Sequence, residues 1–362
     1  MKVLFLTDDL RVKHYHMAAA LKDMGVAEPN LLHMKPTFFD IKAIAKFFPY
    51  PNRAWYYARA NTTKFVRDLK GDDVFSTHAR YSKKRLRALN PDVIYVNKLA
   101  AIELIEEAGI KAKIVLDVED SALINKDIFD NQKAIEWELK AMNHEMVDTI
   151  LFGSHSEMVQ TIKAYDSIIS KDLRVQYPFV AKRTCVPAGF KTKEFSLVFA
   201  GSLWSGGEYR DGFKLLEEIA QTGILIDVFL LNSWSSHNWK LLKDLSRKYS
   251  NLGAFKRTKI QDLKKHINKY HAGLCLSAGN YMKVAATWGM KPLEYAYADV
   301  VPVAISIDKY DPFGICNLSD CKEFGYIAKA DTIQKDFCIR LHDFDWDYHI
   351  MDNHVDKFSE LM

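Results

Sequence analysis

An α/β protein of two tandem doubly wound domains facing across a cleft is the fold that this sequence predicts, and three observations carry the prediction. Short apolar runs alternate with amphipathic stretches, which is the signature of βαβ units and a mainly parallel sheet. The alternation stops at a polar segment, Ala181 to Glu194, and then starts again. The chain, at 362 residues, is longer than one hydrophobic core usually fills, so two domains are expected of it.

Taken in order, Val3–Thr7 reads as a first strand and His14–Met24 as a helix that ends near Gly25. Asn30–Met34 is a second strand, followed by a basic, aromatic insertion. Then come helix Arg80–Leu89, strand Asp92–Asn97, helix Ala100–Ala108 and strand Lys113–Val118. Helix Gln132–Met146, strand Thr149–Ser154, helix Ser156–Ala164 and strand Leu173–Tyr177 complete a first domain over residues 1–180. Ala181 to Glu194 holds Pro187 and Gly189 and shows no hydrophobic period, as a linker would. The second domain, residues 195–340, opens with strand Ser196–Ala200 and a loop rich in Gly and Ser. Helix Phe213–Gln221, strand Leu225–Leu231, helices Trp239–Tyr249 and Ile260–Tyr270, and strands Ala272–Leu276 and Val301–Ile305 follow. Residues 341–362 are helical in pattern from Asp343 onward and are expected to cross back onto the first domain.

Composition narrows the class. With 48% hydrophobic and 27% charged residues the chain sits among ordinary globular proteins. No apolar run is long enough to span a bilayer, and the start, Met-Lys-Val-Leu-Phe-Leu-Thr-Asp-Asp, is too short and too soon acidic for a signal peptide. Five cysteines without metal-type pair spacing suit reduced thiols in a cytoplasmic protein, with peripheral membrane attachment as an open alternative.

Net charge is +4, yet from Lys42 to Arg87 twelve Lys or Arg face three Asp. Phe47, Phe48, Tyr50, Trp55, Tyr56, Tyr57 and Phe65 are interleaved with these charges. The mixture suits a polyanionic partner, DNA included, held by phosphate contacts and stacking, or an anionic membrane surface. A solvated helix face with core aromatics beneath it is the alternative.

The chemistry is concentrated in the second domain. Ala286-Thr287-Trp288-Gly289-Met290-Lys291-Pro292-Leu293-Glu294 joins a glycine turn, a cation and a carboxylate. A loop that opens a helix offers unpaired N–H groups and a positive dipole end to an anion. Lys291 adds a point charge for phosphate, and Glu294 is placed to accept ribose hydroxyls. In Gly201-Ser202-Leu203-Trp204-Ser205-Gly206-Gly207 the glycines let the backbone approach an oxyanion while Ser202 and Ser205 donate, and Arg210 completes the clamp. These are the parts of a nucleotide-diphosphate site, with Tyr281 a further candidate contact.

Four segments carry a family resemblance: Asp148-Thr149-Ile150-Leu151-Phe152-Gly153-Ser154; Val198-Phe199-Ala200-Gly201-Ser202-Leu203 with Arg210-Asp211-Gly212; His271-Ala272-Gly273-Leu274-Cys275-Leu276-Ser277; and the 286–296 motif with Pro302-Val303. In order and spacing the chain resembles glycosyltransferases of the two-Rossmann-domain type, GT-B, and more narrowly the retaining family 4. The resemblance implies transfer of a sugar from a nucleotide-sugar, a UDP-sugar ahead of a GDP-sugar, to a hydroxyl acceptor such as a glycan or lipid-linked precursor. One position departs from that family: Ala286 stands where it usually has a Glu, eight residues before the position of Glu294. The chain also resembles the T-even phage DNA β-glucosyltransferases, inverting enzymes of the same fold, through Gly201-Ser202, Ser205-Gly206, Thr222-Gly223, and Glu294 with Asp299. That resemblance implies hydroxylated bases in DNA as an alternative acceptor. A nucleotide-sugar binding protein without turnover is a third reading, suggested by the missing glutamate.

Inverting transfer needs a base within reach of the acceptor hydroxyl. Strand Lys113–Val118 runs into Asp117-Val118-Glu119-Asp120, so Asp120 and Asp117 are the candidate bases, with Asp8 and Asp9 in competition. Helix capping is the structural alternative for such an Asp. No metal is expected: Asp343-Phe344-Asp345-Trp346-Asp347 holds an Asp-x-Asp pattern outside any strand-to-loop junction, and His14 with His16 lacks a third ligand nearby.

Overall fold

The structure, a computed structural model, describes residues 1–7, 12–34, 73–118, 121, 132–153, 155–165, 168, 170–175, 181–184, 189–203, 212–231, 235–256, 260–276, 295, 298, 300–305 and 326–328. The chain divides into two compact units, Met1–Arg183 with Ile350–Met362, and Thr184–His349.

The first unit is built on a seven-stranded sheet in the order β3-β2-β1-β4-β5-β6-β7. Its strands are β1 Lys2–Thr7, β2 Glu28–His33, β3 Thr77–Arg80, β4 Val93–Val96, β5 Lys113–Val118, β6 Val147–Phe152 and β7 Asp172–Val175, every neighbouring pair parallel. Parallel strands are covered on both faces, which is why β1 and β4 are buried almost throughout. Helix α1, Val12–Asp23, covers one face and packs Met17, Leu21 and the alanines 18–20 against Phe5, Leu31 and Tyr95. Alanine favours the helix and lets its axis come close to the sheet. Each large apolar side chain buried here contributes at most about 1.5–3 kcal/mol. Helices α2 Lys83–Leu89, α3 Leu99–Ala108, α4 Gln132–Met142 and α5 His155–Ala164 supply the core on the other face. Ser82 caps α2 by accepting the Arg85 N–H at 3.2 Å, and Asn90 ends it in the left-handed region at φ 43°.

The second unit repeats the plan with a six-stranded sheet, β10-β9-β8-β11-β12-β13. Here β8 is Ser196–Gly201, β9 Leu225–Leu230, β10 Leu252–Lys256, β11 Ala272–Leu276, β12 Val301–Ile305 and β13 Tyr326–Ala328, again all parallel. Helices α6 Gly212–Ala220 and α7 Ser236–Lys248 pack on one face, and α8 Ile260–Ile267 with Tyr295, Ala298 and Val300 on the other. In both sheets the first strand is interior, third from one edge, and the strand order reverses beside it, between β1 and β4 and between β8 and β11. Ligands of doubly wound sheets bind at the carboxyl ends of the strands at such a reversal.

Three strands go beyond the sequence expectation. Thr77–Arg80 is a polar edge strand, so the helix expected from Arg80 starts at Lys83 instead. Leu252–Lys256, with glycine second, is the opposite edge of the second sheet, where two successive helices were expected without a strand between them. Tyr326–Ala328 is the third. The helix expected at Gln132–Met146 ends at Met142, and the C-terminal helix expected from Asp343 lies outside the described residues.

Candidate functional site

β8 is buried along its whole length and ends at Gly201, where the Leu231 N–H donates to the Gly201 carbonyl at 2.9 Å. Ser202 follows as an exposed residue, and Leu203 turns back into the core. The Leu203 carbonyl is fixed by the Asn238 side-chain amide at 3.0 Å, and Asn238 is itself held in the first turn of α7, where its N–H donates to the Ser235 hydroxyl at 3.3 Å. The loop from β8 closes on itself, because Gly212, at the start of α6, packs on Leu203 so tightly that a Cβ would lie 2.8 Å from Leu203 Cδ2. The residues that flank Ser205, Gly206 and Arg210 in the sequence therefore meet beside the carboxyl end of β8. Those three residues lie outside the described set.

A second segment leaves the carboxyl end of β11 at Leu276, and the next described residue, Tyr295, packs on the same sheet. Tyr281, Lys291 and Glu294 belong to this segment and also lie outside the described residues. Tyr295 is 1% exposed. Its hydroxyl accepts the Ala200 N–H at 2.8 Å and donates to the Leu274 carbonyl at 3.3 Å. The β8–β11 ladder runs only through Leu197↔Ala272 and Val198↔Gly273. Beyond those rungs the tyrosine hydroxyl bridges the two strands, with its ring lying on Gly273, where any Cβ would collide with it. Gly273 and Tyr295 lie in the segments that carry the family resemblance, but their contact, like the Asn238 bond, has no local sequence pattern. Gly273 was the available signal, as a glycine inside a buried strand.

In the first unit Asp117, near the carboxyl end of β5, is 4% exposed. Lys13 Nζ lies 2.7 Å from its Oδ1 and His14 Nε2 2.8 Å from its Oδ2, both reaching from the first turn of α1. Burial alone would raise this carboxyl, but the Lys13 charge and the His14 hydrogen bond and charge outweigh it and hold it well below the usual carboxylate range. Burial, with the Asp117 charge, pushes the Tyr95 phenol upward. Asp117 is thus held by a partner on each carboxylate oxygen. His14 and His16 are buried on α1, and His16 Nδ1 accepts the Ala181 N–H at 3.2 Å. Among the described residues no group of three or more His, Cys, Asp or Glu is placed to hold a metal ion.

Asp120 lies outside the described residues, as do Asp8 and Asp9, but the described residues that flank it, Val118 and Ser121, are anchored. Val118 ends β5, and Ser121 is 1% exposed. The Ser121 hydroxyl donates to Glu138 Oε1 at 2.5 Å, and its N–H lies 3.5 Å from Glu157 Oε1. Glu157 is buried in the first turn of α5 and also accepts the Gly153 N–H at 2.9 Å. The sequence Ser154-His155-Ser156-Glu157 has the spacing of a capping box. One carboxylate therefore ties the end of β6 to the residue that follows Asp120.

The basic stretch is partly structural where it is described. Arg85 donates to the Arg80 carbonyl at 2.9 Å, Arg87 to the Ala108 carbonyl at the end of α3 at 2.9 Å, and Lys83 pairs with Glu107 at 2.7 Å. Residues 35–72, which hold its aromatics, lie outside the described set. A depression at the opposite, amino ends of β4–β6 is lined by Asp92, Lys111, Lys113 and Asp148. Asp92 already accepts the Lys2 N–H and Asp148 the Ile114 N–H, each at 2.7 Å. Among the described residues no helix is long and apolar enough to cross a membrane.

No protein-family model matches the sequence, and no curated protein sequence matches it. Solved structures do. The chain is similar to sucrose-phosphate synthase from Thermosynechococcus elongatus at a TM-score of 0.58 and 9% identity, over 99% of this chain and 94% of that one. It is similar to the Anabaena protein HepE in complex with UDP and glucose at a TM-score of 0.57 and 12% identity, over the whole of both chains. It is also similar to an α-glucosyltransferase in complex with UDP-glucose and DNA containing an abasic site, at a TM-score of 0.54 and 12% identity, over 99% of this chain and 88% of that one. The likeness spans both units and shows the fold, which is GT-B: two Rossmann-like α/β domains in tandem.

Proposed function

We propose that the chain is a glycosyltransferase that moves a sugar from a nucleotide-diphosphate donor, a UDP-sugar ahead of a GDP-sugar, to a hydroxyl acceptor, with the donor held by the second unit. One observation carries the reading: the two segments that bear the phosphate-binding residue types leave from the carboxyl ends of β8 and β11, the adjacent strands where the order reverses. In this reading the Gly201, Ser202, Ser205 and Gly206 turn and the Arg210 and Lys291 cations neutralise the departing diphosphate, where charge develops in the transition state. Glu294 takes the ribose hydroxyls, and Tyr281 lines the same site. The solved UDP and UDP-glucose complexes of this fold support the choice of nucleotide.

On the acceptor side we assign the base to Asp120. Asp117 is committed to Lys13 and His14. Ala286, in place of the family glutamate, favours inversion. A glycan or lipid-linked precursor is the leading acceptor. Hydroxylated bases in DNA form the second reading, favoured by the basic 42–87 region and by the likeness to a glucosyltransferase solved with DNA. Calorimetric titration with UDP, GDP and TDP, followed by nucleotide release from the matching glucose conjugates, tests the proposal. Binding with release supports an enzyme, binding without release supports a binding protein, and no binding to any of the three removes the assignment. Retention on DNA that falls steeply with salt selects the DNA acceptor; retention that is absent or insensitive to salt rejects it.

A further inference from the structure

We propose that Tyr295 is a positioning residue of the nucleotide site, one that aims the Gly201–Ser202 turn at the diphosphate without touching it; the role rests on the donor reading above. β8 and β11 are neighbours, yet their ladder stops at Val198↔Gly273, three residues short of Gly201. In an ordinary pair the next N–H groups of β8 would be fixed by β11. Here the Ala200 N–H, the last before the turn, is held by the Tyr295 hydroxyl at 2.8 Å, and the same hydroxyl donates to Leu274 O at 3.3 Å. A single oxygen satisfies a donor and an acceptor that would otherwise be buried without each other.

The strands part at the place where a doubly wound sheet receives its ligand, and the hydroxyl sets how far they part. Ala200 is 8% exposed and Tyr295 1%, so water has little access to substitute for the bridge. Gly273 supplies the space, because any side chain there would occupy the volume of the ring. Tyr295 also follows Glu294 in the sequence by one peptide bond, about 3.8 Å between Cα atoms. The bridge thus ties the end of β8, where the first phosphate segment leaves, to the residue next to Glu294. A tyrosine serving the core alone would need only to bury its ring and find any partner for its oxygen. This one spans the two strands whose ends define the site.

Tyr295→Phe in the full chain tests the role, since it keeps the ring and removes the bridge. Titration with UDP at a temperature where circular dichroism shows both proteins folded is expected to give a Kd about tenfold weaker for the variant, comparable to the net worth of one hydrogen bond. A purely structural role would lower Tm and leave that Kd in place, so a folded variant with a Kd within about twofold of wild type overturns the proposal. Wild-type protein that binds neither UDP nor GDP overturns the donor reading itself. Should Tyr295→Phe fail to fold, amide exchange in the wild-type chain decides: saturating UDP must slow exchange at Ala200, and an unchanged rate refutes the coupling.

Discussion

Replacing Asp117 by Asn probes the charge cluster of the first unit most directly. The substitution keeps the shape of the side chain and removes its charge from beside the Lys13 ammonium, 2.7 Å away. Breaking a buried pair by removing one partner typically costs about 3–5 kcal/mol. The Lys13 side chain is 13% exposed and can turn its head toward water, which places the expected loss near the lower end, about 3 kcal/mol. For a unit of this size that corresponds to a fall in Tm of about 6–12 °C. Since the folded carboxyl is more acidic than its ordinary value of 3.8, its contribution is complete above that value and disappears as pH falls toward the folded pKa. The Asn variant has nothing to titrate there. Urea unfolding of the two proteins across the acid range should therefore show a gap that is constant from about pH 5 to 7 and closes below about pH 4. A gap under about 1 kcal/mol at neutral pH, or one that stays open in acid, would refute the account of the cluster.

Glu157→Ala leaves the Gly153 and Ser121 amides without their carboxylate, and a loss of about 2 kcal/mol in urea unfolding is expected, with Glu157→Gln recovering part of it. Gly273→Ala forces a methyl group against the buried Tyr295 ring and should cost about 1–3 kcal/mol, read as a lower melting temperature. On the proposed mechanism, Arg210→Ala and Lys291→Ala each lower turnover by roughly ten- to a thousandfold. Asp120→Asn abolishes transfer while calorimetry still detects the donor; unchanged rates would remove each residue from its role.

The central strands of both sheets were legible because they are buried on two faces and so read as unbroken apolar runs, Val3 to Leu6 and Leu197 to Ala200. Edge strands escape that rule. Thr-His-Ala-Arg at 77–80 and Leu-Gly-Ala-Phe-Lys at 252–256 have one neighbour each, and their exposed positions carry no apolar period. The same contrast holds for the site. Gly201 was legible as a glycine where a strand ends, whereas the bridge of Tyr295 joins residues 95 positions apart and the Lys13–Asp117 pair residues 104 apart. Contacts of that span leave no periodic trace. Asp117 shows the consequence: its place at a strand's carboxyl end suggested a base, while its pairing with Lys13 and His14 of α1 left no trace in the local sequence.

The placement of the first strand in the interior of each sheet bears on how the protein is made. On the ribosome, β1 acquires β2 after a short helical excursion, but its other flank belongs to β4, which begins at Val93. Until that point in synthesis this flank of β1 is an uncovered edge of amides and carbonyls, the kind of surface on which nascent chains pair with one another. Slow codons between residues 34 and 92 would prolong that exposure.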